Sequence, residues 1–112
     1  MKIINLTPHT VNIVDEKGNV TRSYEPSGTV ARVSTVSQEV GTLDGVPVVR
    51  TSYGDVEGLP DPQEGTVYLV SLVVGQALAG KRDDIYGPDT SPESVVRDNQ
   101  GQIVGVRRLV KF

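Results

Sequence analysis

Chemistry in this 112-residue chain would have to be carried by one histidine, seven arginines and a scatter of aspartates, because the chain has no cysteine. His9 follows Pro8 and is the only imidazole available as a general base. It has two readings: a surface or capping histidine, or the base of a hydrolytic site whose other members lie elsewhere in the sequence. No Gly-x-Ser-x-Gly nucleophile elbow accompanies it. Arg32 stands among apolar strand residues, level with Val30 and Ser34, where a guanidinium needs either a carboxylate or an anionic ligand. Glu39, Asp55 and Glu57 are the candidate carboxylates. Arg82-Asp83-Asp84, Arg97-Asp98 and Arg107 complete an inventory suited to a nucleotide-like ligand. In it the arginines Arg32, Arg82, Arg97 and Arg107 meet phosphates, Asp83 and Asp84 meet ribose hydroxyls, and Tyr53 or Tyr86 stacks on a base.

Other chemistries are poorly served. Without cysteine and with a single histidine, a closed zinc site or a thiolate nucleophile has no ligands. Asp83, Asp84 and Asp89 are the only oxygen cluster suited to a hard cation, and neighbouring aspartates in a polar loop are usually only solvated. Neither a Walker pattern nor a Gly-x-Gly-x-x-Gly after a strand is present, although Pro26-Ser27-Gly28-Thr29 could form an anion-binding nest. A net charge of −3 argues against a protein that tracks nucleic-acid phosphates. The longest apolar run, Tyr68 to Val74, is far short of the roughly 20 residues that span a bilayer. No signal peptide is visible at Met1 to Asn5, so the expectation is a cytoplasmic protein without membrane or nucleic-acid partners and without a cofactor.

The elements that must position these residues are short strands. Valine is frequent and aromatic residues are few, which favours a β-rich fold with one modest core. Asp15-Glu16-Lys17-Gly18 reads as a type I turn closing a first hairpin, and Asp98-Asn99-Gln100-Gly101 repeats the spacing in a last hairpin from Val95-Val96-Arg97 to Ile103–Val110. Thr29 to Val36 alternates as a strand. Asp44-Gly45 is a type I′ hairpin turn whose register would pair Leu43 with Val46, Val40 with Val49, and Glu39 with Arg50. Tyr53 to Leu59 and Thr66 to Val70 read as further strands, and residues 71–79 carry the period of a short helix. Residues 80–92 read as a long polar loop of the kind that often acts as a lid. The expected fold is therefore a single mainly β domain, a small antiparallel β-sandwich or barrel with one short helix.

Asn5-Leu6-Thr7-Pro8-His9, Pro26-Ser27-Gly28 with Val30-Ala31-Arg32-Val33, and Gly58-Leu59-Pro60 resemble a family of small β-rich proteins encoded by bacteriophages and prophages. Gly65-Thr66 with Tyr68-x-Val70-Ser71, Arg82-Asp83-Asp84, Val96-Arg97-Asp98 with Gly101, and Gly105-x-Arg107 extend the resemblance along nearly the whole chain. It implies origin rather than activity, and by analogy with other compact phage proteins suggests inhibition of host defence. The resulting expectation is a non-enzymatic, homo-oligomeric protein that sequesters a small anionic nucleotide-type signal, a cyclic nucleotide or an ADP-ribose derivative. The alternatives are a structural or accessory virion component and a small phosphoester hydrolase.

Overall fold

In the computed structural model, which describes all 112 residues, ten strands and one helix form two four-stranded sheets and a separate two-stranded ribbon. The mainly β composition and the single helix are as the sequence implies. Pairing is mixed rather than all antiparallel, and no barrel closes. The first sheet has the order β1 (Lys2–Asn5), β6 (Thr66–Leu69), β7 (Ile85–Pro88), β10 (Leu109–Lys111). Its β1–β6 and β6–β7 pairs are parallel, and β7–β10 is antiparallel. The second sheet runs β3 (Val20–Tyr24), β2 (Val11–Val14), β9 (Ile103–Val106), β8 (Val95–Arg97), with a parallel β2–β9 contact between two antiparallel pairs.

Helix α1 (Leu72–Leu78) supplies the crossover that a parallel β6–β7 pair requires. Strand β6 lies between two neighbours and is covered on both faces, which explains the unbroken apolar run Tyr68-Leu69-Val70. Leu6, Ala31, Tyr68, Val70, Val74, Leu78 and Ile85 form the core, and Phe112 packs against it. A Cβ on Gly75 would overlap the Phe112 ring, so this helical glycine is what lets the last residue lie down on α1.

Both Asp-x-x-Gly turns form as expected. The Asp15 and Asp98 carbonyls accept the N–H of Gly18 and Gly101, and each carboxylate accepts two further backbone N–H groups of its own loop.

Four expectations are corrected. Residues 80–92 are not a lid, because they contain β7, whose Ile85 is fully buried. The segment reads as polar because its charges flank the strand, where Arg82 pairs with Asp84 and Asp89 with Arg108 while Lys81 and Asp83 stay exposed. The stretch from Ile103 to Val110 is not one strand but two, β9 in the second sheet and β10 in the first. At the break, the buried Ser94 Oγ accepts N–H groups from Arg107 and Arg108 at 3.1 and 3.2 Å.

The ribbon of β4 (Arg32–Leu43) and β5 (Val46–Glu57) pairs Leu43 with Val46, but a bulge leaves Val40 without a partner. Glu39 therefore faces Val49, Gln38 faces Arg50, and the expected Glu39–Arg50 pair is absent. Arg32, finally, begins a strand instead of sitting within one, and it is exposed.

Candidate binding site

Asn5 builds the wall of the site. It is 2 % exposed, and its side-chain amide donates to the carbonyls of His9 and Tyr24, both at 2.8 Å. Its Oδ1 accepts the Thr7 N–H at 2.9 Å, and the single Thr7 hydroxyl proton serves either that oxygen at 2.7 Å or the His9 carbonyl at 2.9 Å. Every polar atom of the buried amide is thus satisfied, and the Asn-Leu-Thr-Pro-His segment becomes a rigid corner between β1 and β2. Proline suits the corner because it needs no donor there.

Beside this corner lies a groove of about 460 Å³. Thr7 to Asn12 form one wall, Ile103 to Val106 of β9 form the floor, and Ser71, Pro88 and Thr90 reach in from the first sheet. The size falls within the range of small-molecule sites, which usually combine an apolar floor with a few polar groups. Here the floor is aliphatic, and the polar lining is the Thr10, Ser71 and Thr90 hydroxyls and the exposed His9 imidazole, while the Asn12 amide is already bonded to the Val104 carbonyl and the Ser23 hydroxyl. Ser71 precedes α1 but makes no capping bond, so its hydroxyl is free to meet a ligand. No carboxylate lines the groove. In a chain of net charge −3 an acid-free lining puts no local repulsion on an anion, a property the groove shares with the smaller cleft beside Arg32. Gly105 is essential to the floor, since a Cβ there would stand 2.9 Å from the Asn12 carbonyl of the neighbouring strand.

A larger concavity of about 730 Å³ lies between the first turn and the second-sheet break. Its Lys17, Arg107 and Arg108 face Asp15, Glu16 and Glu93, so its charges cancel within the site.

Of the residues singled out in the sequence, only His9 lines the groove. Arg82 and Asp84 come together as a two-point ion pair, Nε to Oδ1 at 2.9 Å and Nη2 to Oδ2 at 2.7 Å, and Nη2 also donates to the Pro60 carbonyl. The hydrogen bond and charge of Arg82 hold the Asp84 carboxyl below its usual range, and Asp84 raises Arg82 in return. Asp83 beside them is exposed. Arg97 is exposed and donates to the Gly101 carbonyl across its own turn. Arg107 is exposed in the larger concavity.

Tyr53 reaches Gln76 of α1 at 3.5 Å, and the Tyr86 ring lies under the Lys111 ammonium at 5.9 Å. Arg32 lies opposite Glu57 and shares a small cleft with Asp55, yet forms no ion pair with either. The guanidinium groups do not converge within one chain. Nor do the aspartates, because Asp89 is held by Arg108, which pulls its carboxyl down to about 2, and no group of three or more acidic or histidine ligands could hold a metal. The His9 imidazole has no carboxylate partner of the kind a catalytic triad uses.

Sequence reasoning missed the groove's floor and rim, Ile103, Val104, Gly105, Ser71 and Thr90. It also missed Asn5 as the hub and Arg108 as a paired cation. Asn5 carried a usable signal, since Asn two residues before Thr is a side-chain turn pattern. The floor carried none, because it depends on a parallel contact between strands about ninety residues apart. No known protein family, curated protein or solved structure matches the chain. No helix is long and apolar enough to cross a membrane.

Proposed function

We propose that this protein is a non-enzymatic binding protein that captures a small nucleotide-type ligand in the groove beside Asn5. The observation that carries the reading is a preformed, acid-free groove with an aliphatic floor in an acidic chain. The floor suits a base or other planar ring, and the hydroxyl rim with His9 suits sugar and phosphate oxygens. Arg82 is no longer among the ligand groups, because Asp84 already satisfies it. Together with the resemblance to phage-encoded proteins, capture is read as withdrawal of a nucleotide signal from a host defence.

Thermal-shift titration against cyclic dinucleotides, cyclic trinucleotides and ADP-ribose derivatives tests this. A ligand at about 100 times its Kd adds roughly 2.7 kcal/mol of stability. Val104→Arg, which fills the groove from its floor, should abolish that shift while leaving a cooperative melt. If no member of the panel raises the melting temperature, the reading fails.

A second reading, a structural or accessory virion component, is supported by the exposed apolar surface of the β4–β5 ribbon, where Leu43 is 73 % exposed. It requires the protein to copurify with intact particles, and its absence from them would exclude it.

A further inference from the structure

The groove does not end at the corner that bounds it. Across Thr7 and Pro8 lies a second recess of about 290 Å³, walled by Val30 and Val33 on one side and by Val73 and Val74 of α1 on the other. Thr7, Pro8 and Ser71 line both cavities, so the two open on either side of one ridge. Backbone bonds tie the ridge to its surroundings. Leu6 donates its N–H to the Leu69 carbonyl at 2.8 Å and accepts the Ala31 N–H at 2.9 Å, while the Asn5 amide locks the turn. Both recesses are therefore preformed, and a ligand does not have to order their walls.

The two linings share an apolar character. Ile103, Val104 and Val106 floor the groove, the four valines line the cleft, and neither recess has a carboxylate. Arg32 is the only side chain of fixed charge lining either one. Asp55 and Glu57 share a different recess with Arg32, and neither comes within ion-pair distance of it. Their field weakens its pull on an anion but leaves its N–H groups unclaimed. Between the two floors stands the Ser71 hydroxyl, free of any capping bond and facing both cavities.

Two apolar recesses, a hydroxyl at their divide and a cation without an acid match a ligand with two rings joined by an anionic link. We propose that groove and cleft form one bipartite site for a phosphodiester-linked dinucleotide. One base lies on the Val104 floor and the other among the cleft valines, with the linking phosphate crossing at Ser71 and Arg32 supplying the positive charge. The assignment rests on the reading of the groove as a nucleotide site and narrows it, because a ligand with a single base fills only one half.

Calorimetric titration of the full chain tests this with the monophosphates of the four common nucleosides and with the linear and cyclic dinucleotides built from each. For at least one base a dinucleotide should bind about 100-fold or more tighter than its monophosphate, since joining two separately held ends gains about 10²–10⁴. Val73→Arg changes an exposed helix position, and its long side chain fills the cleft. It should collapse the preference to about 3-fold or less. Val30→Arg blocks the same cleft from the opposite wall and should do likewise. Arg32→Gln should weaken the dinucleotide and lessen its sensitivity to salt, which a loss of shape alone would not do. Equal affinity for monophosphates and dinucleotides, both abolished by Val104→Arg, would leave the groove reading standing and overturn the bipartite site. A dinucleotide preference that survives both cleft variants would overturn it too. Binding of neither class would overturn it together with the reading beneath it.

Discussion

Replacing Asp84 by alanine removes the partner of Arg82 from a site where both side chains are largely covered, with 12 % and 18 % of their surfaces exposed. Deleting one member of a fully buried pair costs about 3–5 kcal/mol, because the other is left desolvated and unmatched. Here the remaining exposure lets some water reach Arg82, and its bond to the Pro60 carbonyl survives, so the expected loss is about 2–3 kcal/mol. Unfolding entropy is about 2.1 cal/mol/K per residue, or about 0.24 kcal/mol/K for 112 residues, which translates the loss into a melting temperature lower by about 8–13 °C. Differential scanning calorimetry of Asp84→Ala, Arg82→Ala and the double variant measures it. The double variant should lose less than the sum of the singles, because neither charge remains stranded. If both single variants melt within about 2 °C of the parent, the pair is not structural, and Arg82 returns to the set of groups available to a ligand.

Three further outcomes are expected. Asn5→Asp replaces the two amide N–H donors with a carboxylate oxygen that has no donor and faces the His9 and Tyr24 carbonyls, and should cost about 3 kcal/mol or more in chemical denaturation. Ser94→Ala leaves the N–H of Arg108 without its oxygen acceptor at a fully buried position, and about 1–3 kcal/mol should be lost, with an unchanged denaturant slope if the fold is intact. The pH dependence follows from carboxyls whose folded-state values are depressed, Asp84 by Arg82 and Asp89 to about 2 by Arg108. Their contribution is complete above the unfolded carboxylate value near 4, and it disappears as pH falls from there toward about 2. Melting temperature should therefore be level above pH ~5 and drop below it, with a shallower drop in Asp84→Asn and Asp89→Asn.

Features set by neighbouring residues were legible in the sequence. The two Asp-x-x-Gly turns, the Asp44-Gly45 hairpin with its Leu43–Val46 pair, and the helix between Ser71 and Ala79 each depend on a handful of consecutive side chains. What was not legible depends on distant partners. Strand β7 hid inside a polar stretch because Arg82, Asp84 and Asp89 look solvated until Arg108 and the Arg82–Asp84 geometry neutralise them. The bulge at Val40 cost no more than a glycine at position 41, yet it moved Glu39 to the opposite face from Arg50. Arginines marked by type as ligand groups were instead divided among an ion pair, a turn and open surface. The groove arose from parallel pairing and from a corner held by one amide.

The order in which strands find partners also bears on how the chain is made. Strand β1 waits for β6, and β2 cannot complete its sheet until β9 has been synthesised, so the body assembles only after β9 has left the ribosome. The β4–β5 ribbon needs no such delay, since its strands are adjacent. The nascent protein therefore displays its most adhesive segment before it owns a core, and expression temperature and chaperone supply should govern its soluble yield more strongly than its final stability does.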